Sequence, residues 1–253
     1  ALIERKRLWE TSLPVGNAMI DMYVKCGFLE KAQDVFHKLP VCNVISWTAL
    51  ISGYVQHEYM EEALHCFCQM RLRGVSPDVV TYSCILQACG VVRDLDMGEE
   101  MYSEIKRKGM LEEDQVVGVA VIDMYTKCGS LTKAHEVFEM LPIQNLVSWT
   151  TLIVGYVQHR HAEEGLNCFE RMKIQGVSPD AVTFAYGLKA CGSIGALDKG
   201  MELHDDIVHR GMIENHIVGN ALIDMYAKCG MVTRAREVFD NRSVWDIIAW
   251  NSL

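Results

Sequence analysis

Apolar residues recur at helical spacing along the chain. Two such sets occupy residues 47–78, first Leu50, Ile51, Tyr54 and Val55, then Ala63, Leu64, Phe67 and Met70. This spacing predicts a pair of amphipathic helices. Gly74 suits a helix end that needs a positive φ, Pro77 cannot continue the helix, and Asp78 can cap the next one. The segment is therefore predicted to be a helix–turn–helix.

The same pattern returns along the sequence. NAMIDMYVKCGF at 17–28 reappears as VAVIDMYTKCGS at 119–130 and as NALIDMYAKCGM at 220–231. Each long period divides into three helix pairs, and none shows the sustained period-2 alternation of a strand. Because one pair cannot bury its apolar face alone, the sequence predicts an all-α fold, an α-solenoid of stacked helix–turn–helix repeats.

Composition and charge limit the functional classes. The chain has 253 residues, of which 50% are hydrophobic, and this excludes a disordered chain. No apolar run approaches the length of a membrane span. The net charge of −9 argues against non-specific nucleic-acid binding, which needs a basic field. Lys25, Lys127 and Lys228 nevertheless recur at one place in each long period, which is compatible with a basic row along one face.

The cysteines are scattered. The chain has ten, and no two are spaced as C-x-x-C. Single cysteines at helix positions are typical of core packing, which we favour over zinc ligation or disulfides. We therefore expect a reducing compartment, no bound metal and no cofactor.

The repeat lengths distinguish between families of helical repeats. A tetratricopeptide pattern fits loosely, through Trp47, Leu50, Tyr54, Ala63, Phe67 and Pro77. Three features fit another family better. Two units are 35 residues long and end in S-P-D, and the unit lengths alternate between 35, about 36 and 31. Successive units open with V-I-S-W-T, V-V-T-Y-S and I-V-G-N-A. They resemble pentatricopeptide repeats of the plant-organelle PLS class, in which P-, L- and S-type repeats follow in order. The resemblance implies a right-handed superhelix.

This resemblance sets a repeat frame over nearly the whole chain. Residues 1–12 end an L-type repeat, 13–43, 115–145 and 216–246 are S-type, 44–78 and 146–180 are P-type, 79–114 and 181–215 are L-type, and 247–253 start a P-type repeat. Because Ala1 and Leu253 both fall inside repeats, we expect a piece of a longer protein.

The resemblance further implies that single-stranded RNA is the partner, and that the fifth and last residues of each repeat select one base. The pairs are Asn17 with Asn43, Thr48 with Asp78, Ser83 with Asp114, Val119 with Asn145, Thr150 with Asp180, Ala185 with Asn215, and Asn220 with Asp246, while Asn251 begins a further pair. By the family's code the RNA reads, 5′ to 3′, pyrimidine, G, G, unknown, G, unknown, U. For Asp78 and Asp180, helix N-capping is an additional role compatible with base selection.

Two further sets of residues follow from the same frame. The second residues of the repeats are expected to pack against base faces, and they are Ile45, Val80, Val116, Val147, Val182 and Ile217. The alternative for them is ordinary packing in the solenoid core. Lys25, Lys127 and Lys228 occupy the thirteenth place, which in the family can face the RNA phosphates. The alternative there is a solvated surface lysine.

The sequence gives no sign of catalysis. A zinc deaminase needs H-x-E and P-C-x-x-C, and the single H-x-E, at His161, aligns with a repeat helix of the preceding P-type unit. P-loop, dinucleotide-binding and G-x-S-x-G motifs are also missing. We therefore expect no enzyme in this chain.

We interpret the chain as the target-recognition part of an organellar C-to-U RNA-editing factor, in the mitochondrion or the chloroplast, with other editing factors as further partners. The alternatives are RNA stabilisation or splicing, and a tetratricopeptide-like protein-binding scaffold. Self-association through exposed end repeats is a third possibility, since neither end has an evident capping repeat.

Overall fold

The computed structural model describes residues 12–241, which contain fifteen helices and no strand. The chain divides into two compact units, with the boundary after Ser130. Within the described range no helix has both the length and the apolar character required to cross a membrane.

The described part of the first unit consists of successive helical hairpins. Its helices are α1 (Leu13–Lys25), α2 (Leu29–Lys38), α3 (Val44–Gln56), α4 (Met60–Leu72), α5 (Val79–Val92), α6 (Leu95–Arg107), the short α7 (Met110–Glu113) and α8 (Gln115–Lys127). The first helices α1, α3, α5 and α8 pack side by side in chain order. The second helices α2, α4 and α6 each pack between two of them.

The second unit is built in the same way. Its helices are α9 (Leu131–Met140), α10 (Leu146–Gln158), α11 (Ala162–Ile174), α12 (Ala181–Ile194), α13 (Leu197–His209), α14 (His216–Lys228) and α15 (Val232–Asp240). The first helices α10, α12 and α14 pack in series, and α11 and α13 pack between them. Stacked hairpins in both units confirm the predicted all-α solenoid class.

Helix starts coincide with the repeat frame. The first helix of each whole repeat begins at the first residue of that repeat, at Leu13, Val44, Val79, Gln115, Leu146, Ala181 and His216. The turn predicted at Gly74 is present, with φ 71°, and Asp78 caps the following helix. The extra turn α7 fills the longer end of repeat 79–114, a feature that the apolar pattern did not predict.

The core lies between the two helix layers. In the first unit the rings of Phe36 and Trp47 meet edge to face with centroids 4.6 Å apart, and in the second unit Phe138 and Trp149 do the same at 4.4 Å. Such aromatic contacts add to the gain from burying their apolar area. The recurrence of these pairs shows that each repeat contributes equivalent side chains to the core.

The repeated A-C-G segment marks close helix contacts. A Cβ added at Gly90 of α5 would lie 3.3 Å from the Met124 Cα of α8, and one at Gly192 of α12 would lie 3.2 Å from the Met225 Cα of α14. Because these neighbours are backbone atoms, a side chain at either glycine would push two first helices apart.

All ten cysteines are free. Cys66, Cys89, Cys168 and Cys191 are buried, whereas Cys26 and Cys68 are exposed, so core packing explains only part of the set. Between residues 12 and 241 no group of three or more His, Cys, Asp or Glu side chains is placed to hold a metal ion.

Candidate nucleic-acid interface

The last residue of each repeat within 12–241 is the N-cap of the next repeat's first helix. These residues are Asn43, Asp78, Asp114, Asn145, Asp180 and Asn215, and each side chain accepts a backbone N–H of the helix that it precedes. An N-cap oxygen satisfies one of the otherwise unpaired N–H groups at a helix start. Capping therefore fixes the position of every predicted last residue in this range.

The caps divide into two classes. Before P-type and L-type repeats the cap accepts the N–H of the third helical residue, which is Ser46, Thr81, Ser148 or Thr183. Before S-type repeats the shortest bond to the cap comes from the second helical residue, at 2.7 Å from Val116 to Asp114 and at 3.0 Å from Ile217 to Asn215, and Asn215 also accepts the Val218 N–H at 3.4 Å. The third residue there is Val117 or Val218, which offers no hydroxyl.

Thr48 and Asp78 are brought together through a third residue. The Thr48 Oγ1 lies 2.7 Å from the Thr81 Oγ1, and the Thr81 Oγ1 donates to the Asp78 Oδ1 at 2.7 Å. The direct contact from Thr48 Oγ1 to Asp78 Oδ1 is longer, at 3.4 Å. Thr81 is fully buried, whereas Thr48 and Asp78 are half-exposed. A buried hydroxyl thus connects two side chains that reach the surface.

Thr150 and Asp180 form the same arrangement in the second unit. The Thr150 Oγ1 lies 2.8 Å from the Thr183 Oγ1, which donates to the Asp180 Oδ1 at 2.7 Å. Thr183 is also fully buried. Since two separate repeats build one geometry, the geometry follows from the repeat sequence.

Asn17 and Asn43 meet around Ser46. The Ser46 Oγ donates to the Asn17 Oδ1 at 2.6 Å, and the Asn17 Nδ2 donates to the Asn43 Oδ1 at 3.4 Å. The Ser46 Oγ also accepts the Asn43 backbone N–H at 3.3 Å, which closes a capping box. We name the three sets Asn17–Asn43–Ser46, Thr48–Asp78–Thr81 and Thr150–Asp180–Thr183 the selector triads.

Two other predicted pairs, Ser83 with Asp114 and Ala185 with Asn215, are not joined in this way. The Ser83 hydroxyl donates to the Val79 carbonyl oxygen of its own helix at 2.9 Å, and Asp114 caps α8. Ala185 is half-exposed and has no polar group, while Asn215 caps α14. Ser83 therefore differs from Thr48 although both are hydroxyl residues at the fifth place.

Two predicted pairs and the single residue Asn251 remain. Val119 is half-exposed on α8, and Asn145 caps α10 in the other unit. Asn220 is 8% exposed on α14. Its predicted partner Asp246, together with Asn251, lies outside the described residues.

The second residues of the repeats are at the surface. Their side chains are between 38% and 61% exposed, and they are Ile45, Val80, Val116, Val147, Val182 and Ile217. Large apolar residues exposed at one repeated place are informative, since core packing would have buried them. The core alternative for this set is therefore excluded.

The recurring lysines are paired within their own helices. Lys25 contacts Asp21 at 2.8 Å, and the equivalent pairs are Lys127 with Asp123 at 2.7 Å and Lys228 with Asp224 at 2.6 Å. Exposed i, i+4 pairs contribute little stability. They do place a carboxylate beside each cation, so the predicted basic row is partly neutralised. The motif D-M-Y-x-K contains this spacing, which the sequence analysis did not use.

A thiol lies next to one selector triad. Burial, with a smaller contribution from the Asp78 carboxylate, raises the pKa of Cys84 to about 11. The thiol is therefore protonated at neutral pH and is a poor nucleophile or metal ligand. It adds no chemistry to the triad beyond packing.

The third residue of the repeat is a further site residue that the sequence pattern did not indicate. Ser46, Thr81 and Thr183 stand in the unit openings V-I-S-W-T, V-V-T-Y-S and A-V-T-F-A, next to the predicted second residues. The available signal was a hydroxyl residue repeated at one place before an apolar helix. Its partners across the repeat boundary became visible only in the fold.

Comparison with known proteins gives consistent matches along the chain. The model of the PPR repeat family matches residues 42–91 and 144–193, and the PPR repeat model matches 17–44, 80–110, 119–144 and 220–241. Most of the described residues are therefore covered by repeats of one family.

Similar curated proteins come from Arabidopsis thaliana. A mitochondrial pentatricopeptide repeat-containing protein is 35% identical over 96% of this chain, which covers 24% of that protein. A chloroplastic one is 34% identical over 97%, with 28% of its length covered, and a second mitochondrial one is 36% identical over 97%, with 39% covered. These names agree with the predicted organellar location. The chain spans well under half the length of these relatives.

Solved structures share the fold. The crystal structure of the pentatricopeptide repeat protein PPR10 from maize has a TM-score of 0.67 at 22% identity, covering 93% of this chain and 35% of that one. The structure of PPR10 in complex with an 18-nt psaJ RNA element has a TM-score of 0.80 at 17% identity, covering 96% and 37%. At these identities the likeness concerns the backbone arrangement.

Proposed function

This chain belongs to the pentatricopeptide repeat family, and we propose that it binds single-stranded RNA sequence-specifically, at about one base per repeat. The observation that carries the proposal is the selector triads. Each places two half-exposed polar side chains next to an exposed, β-branched second residue of the same frame. Single-stranded RNA is read through its base edges and base faces, and this combination provides a group for each.

The exposed second residues support contact with base faces. Val80 and Ile45 carry branched Cβ atoms, whose stiff rotamers lose little freedom when a ring packs on them. Their exposed area in the free chain is available for burial by a ligand. The apolar term of binding is therefore expected from this row.

Electrostatic attraction contributes less. The chain carries a net charge of −9, and the lysines at the thirteenth place each contact an aspartate. Phosphate contacts by cations give nucleic-acid binding its salt dependence. We therefore expect a shallow salt dependence and an affinity that rests on the bases.

The finer assignment follows the repeat frame. The P-, L- and S-type order, from 13–43 through 216–246, supports a place in the PLS class and a role as the target-recognition part of an organellar C-to-U RNA-editing factor. A catalytic step, and contacts to other editing factors, would then belong to other parts of the full protein. RNA stabilisation or splicing remains the alternative use of the same binding surface.

The test is binding to designed RNAs. The chain should prefer an RNA with pyrimidine at base one, guanine at bases two and five, and uracil at base seven. Changing bases two and five to adenine should weaken binding on the order of tenfold or more, since each well-directed polar contact contributes about 1 kcal/mol. Equal affinity for the two RNAs would contradict base selection by the triads.

A substitution sharpens the test. In Thr48→Asn the longer amide replaces the hydroxyl beside Asp78, and preference at base two should move from guanine toward uracil. Preference at base five, which Thr150 reads, serves as the internal control. An unchanged preference at base two would show that Thr48 is only a helix residue.

A protein-binding scaffold is the second candidate, favoured by the net charge of −9. It predicts no measurable affinity for any single-stranded RNA at about 100 mM salt, where electrostatic binding still registers. The same titration therefore separates the two classes.

A further inference from the structure

We propose that the buried hydroxyl at the third place of a repeat is a positioning residue that sets the hydrogen-bond polarity of the preceding repeat's selector. The residues are Thr81, Thr183 and Ser46. The inference rests on the proposed RNA binding and adds a residue outside each predicted selector pair. Each positioning residue comes from the repeat that follows the base-reading repeat.

Proton counting gives the polarity of Thr48. A hydroxyl has one proton to donate. Thr81 directs its proton to the Asp78 Oδ1 at 2.7 Å, because a carboxylate can only accept. The 2.7 Å contact between the two threonine hydroxyls must then use the proton of Thr48. Thr48 is left with lone pairs and presents an acceptor to the surface.

Asp78 adds a second acceptor. Within the described residues, its hydrogen bonds with Thr48 and Thr81 all go to Oδ1. The Oδ2 atom is therefore available beside the acceptor of Thr48. The triad offers two neighbouring acceptors and no donor.

This pattern matches guanine and rejects adenine. The Watson–Crick edge of guanine presents two adjacent donors, N1–H and the N2 amino group, whereas adenine presents one donor, its N6 amino group, beside an acceptor at N1. The N1 acceptor of adenine would face the acceptors of the triad, and the polar groups on both sides would lose their hydrogen-bond partners. Leaving polar groups unpaired costs more binding free energy than losing a neutral contact. The Thr150–Asp180–Thr183 triad has the same proton direction, because Thr183 donates to Asp180 at 2.7 Å.

The Asn17–Asn43–Ser46 triad has the opposite polarity. The Ser46 hydroxyl lies 2.6 Å from the Asn17 Oδ1 and 3.1 Å from the Asn43 Oδ1, and its one proton goes to the nearer oxygen, which turns the Asn17 amide oxygen inward. The Asn17 Nδ2 gives one proton to Asn43 and keeps one for a ligand. A donor at this place fits pyrimidines, since N3 and O2 of cytosine and O4 and O2 of uracil accept.

The repeats that precede S-type repeats have no buried hydroxyl from the third place of the following repeat. The third residues there are Val117 and Val218, both fully buried, and the hydroxyl of Ser83 is used by the Val79 carbonyl. The third base, to which the sequence code assigns guanine, is therefore expected to be accepted without selection. A repeat therefore reads its base only when a polar fifth residue and a buried hydroxyl at the third place of the following repeat occur together; in repeat 115–145 Ser148 is present but the fifth residue is Val119.

The experiment measures single-base selectivity in the 253-residue chain. RNAs that differ only in guanine or adenine at base two, three or five are titrated by fluorescence anisotropy. In Thr81→Val the guanine-to-adenine affinity ratio at base two should fall on the order of tenfold, with the ratio at base five unchanged. Thr183→Val should give the reverse, and Thr81→Ser, which keeps the hydroxyl, should retain selectivity at base two.

Valine is a suitable replacement because Val117 and Val218 occupy the same place at two other helix starts. An unchanged circular dichroism spectrum shows that Thr81→Val is folded, so that its affinity ratio at base two reports selection. Selection at base two that persists in Thr81→Val, or a ratio lost at bases two and five together, would overturn the inference while RNA binding stands. If the unmodified chain shows no base preference at any of these positions, the proposed function and the inference are both overturned.

Discussion

Asp78 and Asp114 allow the energy of a selector triad to be separated from that of a helix cap. Both are N-caps between repeats of the first unit. Asp114 accepts one hydrogen bond, from the Val116 N–H at 2.7 Å, whereas Asp78 accepts the Thr81 N–H at 2.8 Å and the Thr81 hydroxyl at 2.7 Å. Replacing Asp114 by alanine removes one hydrogen bond, whereas replacing Asp78 removes two from Thr81 and the longer contact with Thr48 at 3.4 Å.

The magnitudes follow from these contacts. Loss of an N-cap costs about 1 kcal/mol. Loss of a further charge-assisted hydrogen bond to a buried hydroxyl adds about 1–2 kcal/mol, reduced here because Thr81 keeps its contact with Thr48. Asp114→Ala should therefore destabilise the chain by about 1 kcal/mol and Asp78→Ala by about 2–3 kcal/mol. Asp78→Asn keeps an accepting oxygen, as Asn43 and Asn145 do, and should cost less than either.

The assay is equilibrium urea denaturation followed by far-UV circular dichroism, with the m-value compared between variants. An unchanged m-value shows that the same structure unfolds, so that midpoints report stability. Equal losses for Asp78→Ala and Asp114→Ala, within about 0.5 kcal/mol, would refute the view that the triad hydrogen bonds stabilise the repeat boundary. A larger loss for Asp114→Ala would do so more strongly.

Three other perturbations test separate parts of the structure. Val80→Ser removes exposed apolar area, so RNA affinity should fall several-fold while the melting temperature changes little, as anisotropy and calorimetry would show. Asp123→Asn frees Lys127 from its 2.7 Å ion pair, so RNA binding should tighten about two- to threefold and depend more steeply on salt. Unchanged binding would place Lys127 away from the RNA phosphates. Burial raises the pKa of the Cys66, Cys89 and Cys191 thiols to about 12. The unfolded chain, in which a thiol has a pKa of about 8.5, therefore loses these protons first. The stability that the three thiols contribute is fully present below about pH 8.5 and is lost as the pH rises toward about 12. The melting temperature in reductant should therefore drop by several degrees between pH 7.5 and 9.5, and a rise would reverse the assigned sign.

The repeat frame was accessible from sequence because it rests on local chemistry. Gly74 and Pro77 end one helix and Asp78 starts the next, whatever lies elsewhere in the chain. The Gly–Pro–Asp signal recurs at 176–180, and an Asp or Asn cap precedes each of the first helices that start at 44, 79, 115, 146, 181 and 216. The short helix α7 was missed because four residues are too few for an apolar period to register.

Exposure and pairing depended on the stack. Val80 and Val121 are both apolar residues at helix positions, yet the first is 53% exposed and the second fully buried. Periodicity assigns faces within one helix, but the neighbouring helices decide how far each face is covered. The two classes of cap were likewise hidden, because Asp78 and Asp114 are the same residue at the same place in the frame.

The sequence by itself determined the all-helical hairpins and their order, since these depend on backbone preferences and apolar spacing, while the repeat types and the selector pairs stay predictions. Only the tertiary structure decided which pairs are connected. The contact between Thr48 and Thr81 joins residues 33 positions apart, and it exists because α3 and α5 pack side by side. Ser83 lacks such a partner because α8 brings Val117 to the equivalent place, and a buried methyl group cannot orient a hydroxyl.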